Sequence, residues 1–332
     1  MHASLDDGIK SEAHSFYSWI ISRPAFWVFL AAVLACLVLS VLTTTFATPQ
    51  NLFNVTRNFA FVAIIALGMT VVIISGGIDL SVGSTIALAS VIAAVILRAG
   101  GSPATAAAAA IVAGGLVGLL NGVVITTLRV VPFIATLGML GVARGAAKWV
   151  AGQQTVNAPP TWLNELAVTF PSRSWMLFAP GVWLAVALAL LMTLVLRNSV
   201  FGRRIFALGS NEAAARACGI HVERLKLAIY GFAGLFFGLA GVTQMSRLRQ
   251  GDPTVAAGVE LDIIAAVVIG GGSLSGGEGS IGGAMIGALV MAFLRNGCQQ
   301  MGWPNYVQEI IIGVVIVLAV AADRYRVART QS

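Results

Sequence analysis

Long apolar runs constrain this sequence more than any other feature. Predominantly apolar stretches, several of them about 18 residues or longer, follow one another with few internal charges. A helix of that length crosses the roughly 30 Å hydrocarbon core of a bilayer, where every backbone polar group needs an internal partner. Charged residues make up only 10% of the chain, against roughly 25% in soluble domains. The sequence therefore predicts an all-α, polytopic integral membrane protein.

We predict about ten transmembrane helices in one membrane domain, residues 26–323, between an N-terminal tail, 1–25, and a C-terminal tail, 324–332. An even number of spans puts both tails on one side, and the distribution of Lys and Arg makes that side cytoplasmic. The longest cytoplasmic connection is 197–226. The predicted spans are 26–46, 57–75, 81–99, 104–127, 132–151, 179–196, 226–247, 261–273, 279–297 and 306–323.

Charge and motif content exclude two classes of function. The net charge is +7, but the cations flank apolar runs instead of clustering on one soluble face, so we expect no nucleic-acid partner. Only Lys10, Lys148 and Lys226 occur, and none follows a glycine, so the phosphate-binding P-loop motif is absent. The His and Cys residues form no catalytic or metal-binding pattern. We expect neither enzymatic activity nor a bound cofactor on this chain.

Glycine is the second informative residue type. Gly114, Gly118 and Gly122 recur at every fourth position, and Gly231, Gly234, Gly238 and Gly241 follow a similar pattern in a later span. Small residues at this spacing let helix backbones approach closely in a membrane. These glycines therefore predict tight helix packing.

Two Gly-rich stretches, 74–84 and 269–280, interrupt the apolar pattern and resemble each other. They align with a one-residue gap, each contains one acidic residue, Asp79 or Glu278, and each joins two predicted spans on the cytoplasmic side. Broken helices of this kind often come from two structural repeats and line a water-filled cavity. The pair indicates either an internal repeat or a chance likeness between two Gly-rich turns.

The 197–226 connection contains a predicted short helix. Residues 211–218 are rich in alanine, and Asn211 or Ser210 can cap the N-terminus of a helix there. Glu212 would lie at the N-terminal end, where the helix dipole is positive, and Gly219 is a natural stop. Such a helix is either a solvated connector or a rigid element that docks on a partner.

Four ordered blocks resemble one family, the ribose-type ABC transporter permeases, which include sugar and autoinducer uptake systems. The resemblance covers nearly the whole chain. The blocks are Gly68–Ser84 with the core Ser-Gly-Gly-Ile-Asp-Leu-Ser, Phe133–Gly138, Phe201–Ile220 with Phe-Gly-Arg-Arg, and Glu260–Ser280 with Val-Ile-Gly-Gly-Gly-Ser.

The resemblance implies a bacterial inner-membrane permease that works in an assembly. Its partners would be a second permease copy, an ABC ATPase subunit that binds ATP and Mg²⁺ on the cytoplasmic face, and a periplasmic substrate-binding protein. The short helix would be the coupling helix that transmits ATPase movement to the gate, with Phe201, Gly202 and Arg203 bracing its entry. The coupling residues would be Phe201, Gly202, Arg203, Asn211, Glu212, Ala214, Ala215 and Gly219.

The breaks and nearby polar residues are the candidates for the gate and the translocation path. Asp79 would either cap the helix that starts near Ser81 or contact a sugar, and Asp262 would be a first-turn helix carboxylate or a path residue. The full set is Gly76, Gly77, Asp79, Ser81, Gly83, Asn121, Thr136, Asp262, Gly271, Gly272, Ser273 and Asn296, with Gln244 as a further lining candidate.

Four arginines near the outer ends of spans are candidates for binding-protein docking: Arg57, Arg173, Arg247 and Arg249. Cations on the rim would steer acidic lobes of that protein. The alternative is that they are interfacial side chains that snorkel to the membrane surface.

The sequence thus predicts an importer permease for a monosaccharide or a similar small polyol, which moves solute by alternating access. The alternatives are an ABC permease for an autoinducer or nucleoside, and an ion-driven secondary carrier. Neither the particular solute nor the choice between a homodimer and a heterodimer follows from the sequence, because the binding protein largely sets specificity in such systems.

Overall fold

The computed structural model describes residues 43–168 and 178–330, together with the helical positions 30, 33, 34, 36, 37, 40 and 41. The predicted span 26–46 lies largely outside the described residues, and Arg173 lies outside them entirely. The chain there folds almost wholly into helices, in the order α1 (Pro49–Ile74), α2 (Val82–Arg98), α3 (Pro103–Thr127), α4 (Pro132–Ala151), α5 (Pro180–Asn198), α6 (Val200–Ser210), α7 (Glu212–Ala217), α8 (Val222–Leu248), α9 (Val259–Ile269), α10 (Ile281–Gln300) and α11 (Asn305–Thr330).

Five of these helices, α1, α3, α5, α8 and α10, are long and apolar enough to cross a membrane. The shorter α2 and the first part of α11 are also apolar. Helix α9 has 11 residues, which at 1.5 Å per residue makes it about 16 Å long, too short to cross alone. The chain is therefore a multi-pass membrane protein, and the total of about ten spans stays a prediction.

Proline and hydroxyl residues fix where many helices begin. Helices α1, α3, α4 and α5 each have a proline in the first helical turn, where the missing N–H costs no intrahelical bond. The Thr48 and Ser102 side chains accept hydrogen bonds from the backbones of Asn51 and Thr105 and so cap α1 and α3. Helix α1 begins at Pro49 rather than near 57 because this cap and the buried Asn51 extend it.

The antiparallel pair of α3 and α8 forms the centre of the bundle, and glycines bring the two helices together. A Cβ atom added at Gly114 would overlap the backbone of Gly234 and Gly238, and one at Gly118 would overlap Tyr230. A Cβ at Gly122 would lie 2.9 Å from the Cα of Leu227. The tight packing predicted from the glycine spacing is thus confirmed.

The two ends of the bundle differ. At one end, which we call the connector end, residues 199–221 form α6 and α7 between α5 and α8. The single short helix predicted in the 197–226 connection is therefore accompanied by a second one, and α8 begins at Val222 rather than 226.

At the opposite end, Val156–Asn157 and Gln250–Gly251 form β1 and β2, a two-residue antiparallel pair that the all-α prediction did not include. A 3-10 helix, Trp162–Ala167, joins this end to α8: Ser246 Oγ donates to the Leu163 carbonyl at 2.6 Å, and Asn164 Nδ2 donates to the Ser246 carbonyl at 2.9 Å.

Candidate functional site

The two Gly-rich interruptions lie against each other at the connector end. We call residues 74–81, which begin with the last residue of α1, the first break and residues 270–280 the second break. The Gly277 N–H donates to the Ile74 carbonyl at 2.8 Å, and a Cβ at Gly276 would lie 2.9 Å from the Cα of Gly76. Gly209 of α6 packs against both, since a Cβ there would overlap the Ile74 carbonyl and lie 2.5 Å from the Gly277 nitrogen. The breaks and the connector therefore form one contact.

Backbone conformation makes glycine necessary at this contact. Gly76, Gly271, Gly276 and Gly277 have φ values of 79°, 90°, 84° and 77°. Residues with a Cβ adopt this left-handed region only with strain. The breaks predicted from sequence are therefore real interruptions of helical backbone.

Asp79 holds the first break in shape. Its carboxylate is fully buried; Oδ1 accepts from the Ser81 N–H at 2.8 Å and from Ser81 Oγ at 2.6 Å. Oδ2 accepts from Asn121 Nδ2 of α3 at 3.2 Å, and that nitrogen also donates to Ser81 Oγ at 2.9 Å. A buried carboxylate needs such donors to offset its desolvation. Asp79 thus braces the turn that leads into α2, and Asn121 ties it to the central helix pair.

Thr136 braces the same break from α4. Its hydroxyl is buried and lies 2.9 Å from the Pro132 carbonyl and 3.3 Å from the Ile78 carbonyl. The structure brings Asp79, Ser81, Asn121 and Thr136 together, but it places them in helix–helix contacts and not on an open cavity. Their contact with a solute stays a prediction.

Sequence reasoning missed Tyr230, whose phenol packs on the first break from α8. The ring is fully buried, and a Cβ at Gly77 would lie 2.5 Å from its oxygen. This hydroxyl has no hydrogen-bond partner among the described residues. A tyrosine in an apolar span gives no signal of its neighbour, because the contact depends on how α8 crosses the break.

The second break contains several hydrogen bonds between its own residues. The Ser273 N–H donates to the Glu278 carbonyl at 3.2 Å, and the Gly276 N–H donates to the Ser273 carbonyl at 3.0 Å. Ser273 and Gly272 are buried, whereas Glu278 is exposed. Gly270 and Gly283 are in such close contact that a Cβ on either would overlap the other, so α9 and α10 pack tightly on both sides of the turn.

Asp262 and Asn296, the remaining polar path candidates, also join helices. Asp262 lies in the first turn of α9, as predicted, and its side chain is 3% exposed and forms an ion pair with Arg295 of α10. Asn296 exchanges two amide hydrogen bonds of 2.8 Å with Asn51 of α1, a partner that the sequence did not indicate. Gln244 is buried in α8.

Gly83, the last of the path candidates, lies in the first turn of α2. A Cβ at this position would overlap the Ala256 carbonyl and lie 2.8 Å from Glu260 Oε2. Gly83 is therefore a close contact between α2 and the chain that leads into α9.

The connector helices are anchored on the bundle by a few contacts. Phe201 of α6 packs edge-on against Phe232 of α8 with ring centroids 5.8 Å apart. Gly202 is required because a Cβ would overlap Leu196. Arg203 stays exposed, and its Nη1 lies 3.4 Å from the Asn198 carbonyl.

Helix α7 has the caps that the sequence predicts. Asn211 Oδ1 accepts from the Ala214 N–H at 2.9 Å, and Gly219 ends the helix with φ 81°. Ala215 is buried against the bundle, while Glu212 and Ala214 are exposed. The helix thus presents one face to its own chain and another to solvent.

Ion pairs fasten α7 to the start of α8. Glu212 bonds to Lys226 Nζ at 2.7 Å, and Arg216 bonds to Glu223 at 2.6 Å and to Glu212 at 3.4 Å. The Arg216 guanidinium donates a hydrogen bond to Glu223, and this bond raises the pKa of Arg216 above its ordinary value. Exposed pairs contribute little individually. All four of these paired residues line a cleft of about 520 Å³ between α7 and the turn at Arg129. Charged groups therefore surround the exposed face of α7.

The three described docking candidates do not share one environment. Arg247 and Arg249 are exposed at the end opposite the connector, and Arg249 ends α8 with φ 54°. Arg57 of α1 is partly buried. Docking by these side chains stays a prediction.

Comparison with known proteins gives relatives over nearly the full chain. The family described as "Branched-chain amino acid transport system / permease component" matches residues 51–320. The ribose import permease protein of Escherichia coli (strain K12) is 39% identical over 306 residues, covering 92% of this chain and 94% of the relative.

Two further relatives carry other sugar names. The L-arabinose ABC transporter permease protein of Azospirillum brasilense is 33% identical and covers 87% of this chain and 84% of the relative. The fructose import permease protein of Rhizobium meliloti is 32% identical and covers 97% and 91%. No solved structure gives a significant match. With its breaks, its capped connector helix and this coverage, the chain belongs to the family of transport-system permease components.

Proposed function

We propose that this chain is the permease subunit of a bacterial ABC importer and forms the pathway for a monosaccharide or similar small polyol. It would lie in the inner membrane with about ten spans, with both tails and the connector end in the cytoplasm. The three relatives named above are permeases for ribose, L-arabinose and fructose, which supports a sugar as the solute. The polar groups of this chain would contact it only in a conformation that opens the breaks.

One observation carries the mechanism: the connector touches both breaks. Gly209 of α6 packs against both Ile74 and Gly277, and only Asn211 separates α6 from the capped α7. A partner that pushes on the exposed face of α7 would therefore move the backbone at both breaks. We propose that an ABC ATPase, carrying the ATP and Mg²⁺, provides this push, and that two permease copies pair around the path.

Alternating access then follows from the same contact. A periplasmic binding protein would deliver the solute at the end that carries Arg247 and Arg249, and ATPase closure would shift α6 and the breaks so that the solute leaves on the other side. This chain supplies no chemical step. Its role is to couple movement at the connector end to the opening of the path.

The test is a reconstituted system of this permease, its ATPase and its binding protein in liposomes. We expect uptake of a labelled monosaccharide only with ATP inside and binding protein outside, and no uptake driven by a proton or sodium gradient alone. A panel of pentoses, hexoses, inositol, a nucleoside and a branched-chain amino acid identifies the solute. Gradient-driven uptake without ATP would contradict the importer assignment and favour a secondary carrier.

A single substitution tests the connector. Ala214 is exposed on α7, so Ala214→Asp adds a charge to the proposed docking face without filling the core. We expect it to reduce ATPase co-purification and uptake about tenfold or more, because an unpaired charge in an interface is desolvated at a cost. Ala104→Asp, at an exposed position in the first turn of α3, is the matched control and should retain both. Equal behaviour of the two variants would refute docking at α7.

A further inference from the structure

The irregular backbone between β2 and α9, residues 252–258, crosses part of the bundle without forming a helix. We call it the descending segment. Gly251, just before it, packs against Val91 and Ala94 of α2, whereas Ala256 packs against Gly83 near the start of the same helix. Positions 91 and 83 of a helix lie about 12 Å apart along its axis. The segment therefore descends from the end that carries the β-strands to the middle of the bundle.

Along this path the backbone adopts strained dihedral angles and lacks the regular hydrogen bonds of a helix. Ala256 has φ 57° and Gly258 has φ 80°, and a residue with a Cβ adopts the first conformation only at a cost. Gly258 provides no side-chain cap for α9. Non-helical backbone at membrane depth persists only where other protein groups or water satisfy its polar atoms. The segment needs a partner from a neighbouring helix.

Arg144 of α4 is that partner. Its Nη1 donates to the Val255 carbonyl at 2.7 Å and to the Pro253 carbonyl at 2.9 Å. Arg144 is twelve residues from Pro132, which places it about 18 Å along α4 from the connector end. Within the segment, Asp252 Oδ1 accepts from the Thr254 N–H at 2.8 Å and from its hydroxyl at 2.7 Å. One guanidinium thus holds the backbone on both sides of Thr254.

The segment leads directly to the second break. It continues into α9, and Gly270, the residue after the last turn of α9, packs on Gly283 of α10. The second break that follows touches Gly209 of the connector. A change in how Arg144 holds the segment would therefore shift α9 and reach the gate from the side opposite the connector.

We infer that Arg144 is a positioning residue for transport: it clamps the descending segment to α4 and so sets the position of α9 and of the second break. The inference rests on the proposed importer function. It adds a second control point, at mid-bundle depth, to the one at the connector. An ionisable side chain that is partly buried at this depth is costly to retain unless it has such a role.

Substitutions at Arg144 separate hydrogen bonding from charge and size. Arg144→Met keeps a long side chain but has no donor; Arg144→Lys keeps a cation with N–H donors. Lys148→Met, one turn later on the exposed surface of α4, removes a cation without touching the segment. We expect Arg144→Met to lower sugar uptake per ATP hydrolysed about tenfold or more because two partly buried carbonyls lose their donor. Arg144→Lys should keep a substantial part, and Lys148→Met should match the parent chain.

A readout at the segment itself keeps this test independent of the proposed function. In a chain with Cys36, Cys218 and Cys298 replaced by Ser, the partly buried Val255 is changed to Cys and labelled with a maleimide in native membranes. We expect Arg144→Met, and not Lys148→Met, to speed labelling about tenfold. If the parent chain transports nothing but labelling responds in this way, the importer assignment fails while the clamp stands. Unchanged labelling refutes the clamp, whatever the uptake.

Strain at Ala256 provides a rescue. Glycine adopts a positive φ without cost, so Ala256→Gly should restore part of the uptake and slow the labelling in an Arg144→Met background. If Arg144→Met alone does not accumulate in the membrane, this double variant decides the matter. Failure of Ala256→Gly to restore accumulation or uptake contradicts a role in holding the strained segment.

Discussion

The two breaks look alike in sequence but are held by different means. The first is fastened by side chains from three other helices: Asn121 of α3, Thr136 of α4 and Tyr230 of α8. The second has hydrogen bonds within its own backbone, a bond from the Ser275 N–H to Ser273 Oγ, and close glycine contacts with α6 and α10. Asp79 is buried, whereas Glu278, the one acidic residue of the second stretch, is exposed.

This difference indicates a division of labour. A turn fixed by buried polar groups resists movement, since each group that loses its partner bears a desolvation cost. A turn built largely of glycines can change conformation more easily. We expect the first break to act as the fixed point of the pathway and the second break to carry more of the motion. The likeness of the two stretches gave no indication of this.

The largest effect is expected from removing the carboxylate of the first break. Asp79→Ala leaves the Ser81 N–H and the Ser81 hydroxyl without their acceptor in a buried site, and it removes one of the two acceptors of Asn121 Nδ2. The free energy of unfolding should fall by about 3 kcal/mol or more. Thermal unfolding of the purified protein in detergent measures it.

The one acidic residue of the second break provides the control. Glu278→Ala changes an exposed side chain and should cost less than about 1 kcal/mol. Similar losses for the two variants would mean that both breaks are held by their carboxylates, and the comparison would collapse.

A smaller effect is expected at the ion pair between the helices that flank the second break. Asp262→Ala removes a carboxylate that is 3% exposed and leaves Arg295, which is 42% exposed. Breaking a fully buried pair costs about 3–5 kcal/mol, but water can reach this arginine, so we expect about 2 kcal/mol. Arg295→Met, measured in the same unfolding assay and combined with Asp262→Ala, gives the coupling between the two. No coupling would show that the pair does not join α9 to α10.

Sequence reasoning recovered the features that depend on local chemistry. The caps and stop of α7, the glycine contacts of α3 with α8, and the positions of both breaks follow from residue types at fixed spacing. Boundaries were less accurate where a distant partner extends or shortens a helix. Asn51 lengthens α1 through Asn296, 245 positions away, and no local pattern predicts such a pairing.

The path candidates show the limit more clearly. Asn121 and Thr136 are path candidates because they are polar residues in apolar spans. Both contact the first break, but as braces between helices. Tyr230 and Arg144 are not among the candidates predicted from sequence. Tyr230 packs on the backbone of Gly77, and Arg144 donates to carbonyls of the descending segment. A polar residue in a span signals that it has a partner, but the partner depends on how the helices cross.

The smallest effect, and the sharpest test of the first break, concerns Gly77 and Tyr230. A Cβ at Gly77 would lie 2.5 Å from the Tyr230 oxygen, so Gly77→Ala should lower the free energy of unfolding by about 1–2 kcal/mol through overpacking. Tyr230→Phe removes that oxygen, which lacks a hydrogen-bond partner in the described part of the chain, and should be neutral or slightly stabilising. In the double variant the cost of Gly77→Ala should fall by half or more, as a double-mutant cycle of thermal unfolding would measure. If the two changes simply add, the phenol does not pack on the break as described, and the first break loses one of its three braces.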